Sequence, residues 1–171
     1  MQYAYIFSGL PGVGKTTLAK LLAKNVKNSS YYRVDTIEYY FKKNYPSIEL
    51  GKQGYEIAYY QARESIELGN NVIIDSCNPV NESRKLWGKL SNSRAIKIIN
   101  IEVVCSNYKI HQDQVEARFN SNKKRYPSWK DVLDKNYETW NKEVIIIDTA
   151  NNDEKNSINE LIARLGLKIT Y

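Results

Sequence analysis

Apolar and polar positions follow two rhythms along this chain, and their alternation predicts a layered α/β fold. Short, nearly unbroken apolar runs rich in β-branched and aromatic residues occur at 3–7, 31–34, 72–74, Ile96–Val104 and 144–147. Such runs are expected of strands buried on both faces of a parallel sheet. Between them lie segments with helical spacing, at 15–27, 36–44, 54–68, 82–91, 109–124, 129–140 and 156–165. In the first, Leu18, Leu21 and Leu22 share one face and lysines the other. In 54–68, Tyr55, Tyr59, Ala62 and Ile66 form one stripe, an arrangement that fills a core more often than it stacks on a ligand. Turn-forming residues at 69–71, 91–93 and 151–153 punctuate the alternation, with Gly69 placed to close a helix as its left-handed cap. About five strands alternating with helices predict a central, mostly parallel sheet covered by helices on both sides, as a single domain over 1–171.

Directly after the first apolar run stands Gly9-Leu10-Pro11-Gly12-Val13-Gly14-Lys15-Thr16, followed by Thr17. It fits the phosphate-binding pattern G-x-x-x-x-G-K-[ST] without a mismatch, and it lies between a strand and a helix as that pattern requires. Glycines let the backbone turn tightly and bring its N–H groups against phosphate oxygens where a Cβ would block approach. Lys15 supplies a mobile charge for terminal phosphates, and Thr16 offers a hydroxyl to Mg²⁺. The helix beginning at 15 points its positive end at the same phosphates. Nucleotide binding is the expectation.

Ligands of open parallel sheets gather at the carboxyl ends of the strands, so the residues after each run are the next candidates. Asp75 and Asp148 both end apolar runs, and either arrangement puts a carboxylate beside the sheet's edge. A last strand usually lies at the far side, which favours Asp75 as the partner of Thr16 in holding Mg²⁺ or as a group that polarises an acceptor hydroxyl. Asp35 follows the second run and reads as a general base or orienting acceptor for an attacking hydroxyl. It also reads as a helix N-cap, with Glu38 completing a capping box. The segment 114–125 is a helix running into a basic turn, and residues 118–128 read as a mobile lid. Its Arg118, with Arg125 as a further choice, would screen charge on a phosphoryl group in transfer. His111, the single histidine, lies in a polar stretch and reads as a surface residue.

Composition narrows the setting. The 42% hydrophobic and 26% charged fractions are those of a soluble globular protein, and no run approaches a membrane span. The N-terminus lacks the pattern of a signal peptide, and two cysteines imply neither a disulfide framework nor a metal cluster, so a cytoplasmic location is expected. A net charge of +6 suits a polyphosphate ligand without requiring nucleic acid.

From 3 to about 150 the residues resemble the small P-loop kinases of the AAA-type ATPase/kinase group. Their relatives include the 5′-kinase domain of phage polynucleotide kinase, chloramphenicol phosphotransferase and the zeta toxins. The resemblance rests on the Gly9-to-Thr17 motif, Val34-Asp35, Val72-Ile73-Ile74-Asp75, Asn78, Arg84, Val115-Glu116-Ala117-Arg118, Tyr126-Pro127-Ser128-Trp129, Tyr137-Glu138-Thr139-Trp140 and Ile147-Asp148-Thr149-Ala150. It implies a P-loop NTPase three-layer sandwich with strand order 2-3-1-4-5, ATP and Mg²⁺ at the loop, Asp35 facing the acceptor hydroxyl, a lid arginine at Arg118, and 149–151 near the adenine. Where the polynucleotide kinase relatives carry an arginine for the acceptor's 3′ phosphate, this chain has Glu38, which would repel a phosphate there. The resulting expectation is transfer of the γ-phosphoryl group of ATP to a hydroxyl of a small molecule. A polynucleotide 5′-hydroxyl kinase and a non-kinase, ATP-hydrolysing switch protein are the alternatives.

Overall fold

Strand β1 (Gln2–Ser8) runs through the middle of the molecule, and its side chains alternate between two cores. Tyr5 and Phe7 pack on one side with Leu18, Leu22, Ile158 and Leu161; Ala4 and Ile6 pack on the other with Ala58, Ala62, Ile66 and Trp87. That period of two, apolar on both faces, is why β1 reads as a continuous apolar run and why it must be central. The computed structural model describes residues 1–92 and 96–167.

Strands β2 (Ser29–Arg33), β3 (Asn71–Asp75), β4 (Ile96–Val104) and β5 (Ile145–Asp148) complete one sheet in the order β2-β3-β1-β4-β5. Every pairing is parallel. The expected order and five strands are therefore found. Helices α1 (Lys15–Asn25) and α7 (Glu154–Arg164) cover one face. Helices α2 (Val34–Asn44), α3 (Gln53–Glu67) and α4 (Asn81–Gly88) cover the other. Helices α5 (Tyr108–Ser121) and α6 (Trp129–Leu133) stand at the carboxyl end of the strands, around the Gly-rich loop.

The tyrosine stripe of α3 faces the core, as its spacing predicts: Ala62 and Ile66 are fully enclosed, and Tyr55 and Tyr59 pack against the same cluster. Gly69 ends α3 at φ +93, with its N–H on Ile66 O and the N–H of Asn70 on Ser65 O. These two bonds are the paired closure of a Schellman cap. At the other turns, Asp153 caps α7 through Asn156 N, while the turn expected at 91–93 starts in a 3-10 turn, Lys89–Asn92, and runs outside the described residues.

Two expectations are corrected here. The helix expected at 129–140 stops at Leu133, and the chain to 144 has no regular structure. The carbonyls of Glu138 and Thr139 accept from the Arg84 guanidinium at 2.6 and 3.2 Å, and Tyr137 and Trp140 flank that guanidinium. Tertiary bonds to one cation hold this segment in its irregular course. Asp35 is not an N-cap either. Val34, buried against the second core, already has helical geometry, so Arg33 is the cap residue and Asp35 falls in the first turn. Its charge still favours the helix dipole there.

Among the described residues no helix is long and apolar enough to cross a membrane, and Cys77 and Cys105 are both free thiols. Trp87 ties the second core to the site: its indole N–H donates to Asn78 Oδ1 at 2.8 Å, and Asn78 Nδ2 donates to Phe7 O at 2.9 Å. Trp87→Ala should remove about 3–5 kcal/mol from the unfolding free energy by opening a cavity and stranding Asn78. Urea unfolding monitored by circular dichroism measures this, and a loss below about 1 kcal/mol would contradict the assigned packing.

Candidate active site

The Gly9-to-Thr16 loop is shaped by positions that admit no side chain. Gly9, Gly12 and Gly14 have φ of +136, +91 and +91. A Cβ on Gly9 would run into the carbonyl of Val103, and one on Gly12 into the side chain of Val115. Four of the loop's carbonyls are occupied: Leu10 O accepts from Lys15 Nζ (2.9 Å), Pro11 O from His111 Nε2 (2.8 Å), Val13 O from Thr149 Oγ1 (3.1 Å) and Gly14 O from Leu18 N (3.2 Å). Among the described residues, the N–H groups of Leu10, Gly12, Val13 and Gly14 donate to no backbone carbonyl. A concave loop with its acceptors tied away and its donors free is a receptor for an anion.

His111 is a correction to the sequence reading. It is buried, not on the surface, and packs edge-on against Trp129 at 5.0 Å. Because Pro11 O can only accept, the imidazole carries its proton on Nε2. The residue anchors the loop from α5, and the polar stretch around it held no hint of this because only one face of α5 is covered.

The two strand-end carboxylates, Asp35 and Asp75, are joined by a residue that sequence reasoning passed over. Arg33 ends β2; its Nη2 lies 3.3 Å from Asp35 Oδ2 and its Nε 3.4 Å from Asp75 Oδ2. Asp75 is fully buried, receives a hydrogen bond from Tyr31 Oη at 2.7 Å, and has its Oδ1 without a partner. Burial and then the Asp75 carboxylate push the Tyr31 phenol far above its ordinary range, so it stays a donor. Asp35 by contrast is half-exposed, at 50% of its side-chain surface. Tyr31, Arg33 and Asp35 were all visible in the sequence; the usable signal was a charged residue two positions from Tyr31, on the same face of a half-buried edge strand, which calls for a nearby counter-charge. Asp148 is used otherwise: Oδ1 accepts from Ser106 N and Ala150 N, each at 3.0 Å, closing the turn after β5.

Two cavities meet at the loop. The larger, about 840 Å³, brings Lys15, Thr16, Asp35 and Arg118 together with Arg125, Glu38 and Cys77. The smaller, about 410 Å³, is bounded by Thr17, Gln114, Thr149 and Asn152. Gly12, Gly14, Thr16 and Arg118 line both. Asp75 lines neither. Burial pushes the Cys77 thiol up, against the pull of Lys15, so it remains protonated near neutrality. Among the described residues no three His, Cys, Asp or Glu side chains are placed to hold a metal by themselves. A Mg²⁺ delivered with nucleotide phosphates needs fewer protein ligands, and a hydroxyl at Thr16 with an orphaned carboxylate oxygen at Asp75 fits that demand.

Glu38 lies one turn after Asp35 in the same wall, and its carboxyl is raised above the ordinary 4.5 by burial first and by Asp35 second. A carboxyl raised on folding binds its proton more tightly in the native state, so it detracts from stability as pH climbs from about 4.5 through the higher folded value. Glu38→Gln should therefore raise the melting temperature at pH 7 and leave it nearly unchanged at pH 4. Equal shifts at both pH values would remove the electrostatic account.

The family described as "AAA domain" matches residues 6–127. No curated protein matches the sequence closely enough to serve as a relative. Solved structures with the same fold include the Mycobacterium tuberculosis APS kinase CysC in complex with AMPPNP and APS, 16% identical, covering 96% of this chain and 98% of that one at a TM-score of 0.64. A gluconokinase from Sinorhizobium meliloti is 15% identical, covering 95% and 91% at 0.65. Chaetomium thermophilum Kti12 in complex with ADP-AlF3 is 17% identical, covering 98% and 100% at 0.70. With the phosphate loop, the all-parallel 2-3-1-4-5 sheet and a match over most of its length, the chain belongs to the AAA-domain family and has a P-loop kinase fold.

Proposed function

We propose that this chain is a kinase that transfers the γ-phosphoryl group of ATP to a hydroxyl of a small molecule. The observation that carries this reading is the meeting of two cavities over one anion-binding loop, with Gly12, Gly14, Thr16 and Arg118 common to both. A hydrolysing switch needs one nucleotide pocket; a transferase needs a second chamber opening on the terminal phosphate. The smaller cavity, beside Thr149 and Asn152, suits the nucleoside, and the larger suits the acceptor. The kinases that share the fold support the same class.

In this reading the loop from Gly9 through Thr17 binds the phosphates. Lys15, whose ammonium rests on Leu10 O, swings to the terminal phosphates when they arrive. Thr16 and Asp75 would hold Mg²⁺, which supplies charge neutralisation on the phosphates when bound. Asp35 accepts the hydrogen bond of the acceptor hydroxyl, and its pairing with Arg33 keeps it oriented. The bond from the acceptor oxygen to the γ-phosphorus forms as the β–γ bridging bond breaks. ADP departs, and the hydroxyl proton passes to Asp35 or water. Arg118, at the seam of the two cavities, screens charge on the moving group. Residues 118–128 act as the lid of a single domain, with the Arg125 guanidinium over the Tyr39 ring at 4.9 Å. A kinase with free thiols and an ATP requirement is at home in the cytoplasm.

Labelled γ-phosphate offered with nucleosides, sugars, amino-alcohol antibiotics and 5′-hydroxyl oligonucleotides tests the reading. Lys15→Ala and Arg118→Ala should each lower transfer by about 10²–10³ while far-ultraviolet circular dichroism stays native. Asp35→Asn should lower kcat with little change in the KM for ATP. Label appearing only as free phosphate would overturn the kinase assignment, and wild-type turnover in Asp35→Asn would remove that residue from the mechanism.

A further inference from the structure

Charge in the larger cavity is distributed unevenly, and the unevenness has a direction. Along the cavity face of α2, Asp35 and Glu38 are followed by Lys42 and Lys43, so the wall changes sign within two turns. Lysines near a helix C-terminus favour the dipole, which accounts for that pair alone. It does not account for the opposite wall. Lys124 and Arg125 from the turn after α5, and Lys135 from beyond α6, line the same chamber.

Among the described residues none of these five cations has a carboxylate within ion-pair distance. The acids that share the cavity are engaged elsewhere or stand apart. Asp35 is paired with Arg33, and Asp131 holds the α6 cap through the N–H and hydroxyl of Ser128 at 2.8 and 2.6 Å. Only Glu38 remains, near the transfer end and within electrostatic reach of Lys42 and Lys135, one acid against five cations. Five cations converging from three separate segments repel one another unless an anion joins them. The Arg125 guanidinium lies over the Tyr39 ring at 4.9 Å and has no carboxylate within ion-pair distance among the described residues, so its N–H donors are available to a planar or tetrahedral oxyanion.

We propose that the acceptor carries, besides its reacting hydroxyl, a phosphate or carboxylate group bound between Lys42–Lys43 and Arg125. This rests on the kinase reading above for the position of the hydroxyl at Asp35. Seven residues separate Asp35 from Lys42 on one helix, so hydroxyl and anion lie about 10 Å apart. Glu38 between them excludes an anion adjacent to the hydroxyl and offers an acceptor to the hydroxyls or amine of the molecule's middle. The substrate class is therefore an elongated hydroxylated acid or monophosphate, with its charge remote from the group phosphorylated.

Matched pairs test this: ribose against ribose 5-phosphate, nucleosides against their 5′-monophosphates, and sugars against their aldonic acids. Each pair is measured by calorimetric binding in the presence of a non-hydrolysable ATP analogue, and by labelled transfer. The anionic members should bind at least about tenfold more tightly than their neutral partners, phosphate-bearing and carboxylate-bearing arms separating the two sources. Lys42→Gln/Lys43→Gln should raise the acceptor KM or Kd about tenfold or more, with the Kd for the ATP analogue within twofold. Neutral partners binding as tightly as anionic ones, or a lysine-to-glutamine variant with unchanged Kd, overturns the inference while leaving kinase activity to stand on transfer alone. Selective anion binding without transfer retains the inference about the chamber and overturns the kinase reading.

Discussion

The structure depends on one constraint: the Gly-rich loop must show an incoming anion its N–H groups and never its carbonyls. A peptide turn has no intrinsic reason to do so, since each residue brings one donor and one acceptor. Here four of the acceptors are tied away by partners from outside the turn or from the helix that follows. Thr149 after β5 takes Val13 O, His111 on α5 takes Pro11 O, Leu18 takes Gly14 O, and Lys15 covers Leu10 O. Gly9 N is held by Cys77 O from beyond β3. These partners come from segments scattered over most of the chain, and the parallel sheet is what brings their ends to one side. With β1 between β3 and β4, and β5 on the far side of β4, each tether reaches the loop from a different direction. Strand order is in this sense a condition for binding phosphate.

A second consequence concerns charge. An anion receptor made of amides is only partly positive, so Lys15, Arg118 and the first turn of α1 add to it, while the carboxylates must be kept from cancelling it. Arg33 performs that separation. It neutralises Asp75 inside the fold and reaches Asp35 at the cavity wall, so two acids stand near a phosphate loop without two uncompensated charges. Tyr31, unable to ionise against Asp75, fixes the buried end of the arrangement.

Nearly all of the sheet was legible from the sequence, because a strand buried on both faces is apolar at successive positions, unlike a half-exposed strand or a surface helix. The loop was legible because its chemistry demands particular residue types at consecutive positions. What escaped has a common physical cause: interactions between residues distant in sequence. The polar neighbours of His111 point to solvent, so its own burial beneath Trp129 left no periodic trace. The helix expected at 129–140 had suitable spacing, but its second half is held as an irregular segment by Arg84, more than fifty residues upstream, through the carbonyls of Glu138 and Thr139. Arg33 stood in a segment whose pattern is that of a strand alone, and its two carboxylates lie on different elements. For Asp35 the error was a single position: burial of Val34 started the helix early and turned a cap into a first-turn acid.

The coupling of Arg33 to Asp35 bears on what the carboxylate does. The ion pair with Arg33 fixes the direction in which the Asp35 carboxylate points at the cavity wall. Phosphoryl transfer through a loose transition state asks little proton abstraction of the protein until bond formation is advanced, and asks much of the direction from which the hydroxyl approaches. A base would be better served by an isolated, desolvated carboxylate, which is what Glu38 more nearly offers one turn away. In the proposed transfer, the more exposed, ion-paired acid beside the loop is therefore suited to aiming the acceptor, and the half-buried one to reading its body. That division follows from the helical rise of α2 and the reach of Arg33, since the wall that begins at β2 presents first a fixed charge, then a protonatable group, then two cations.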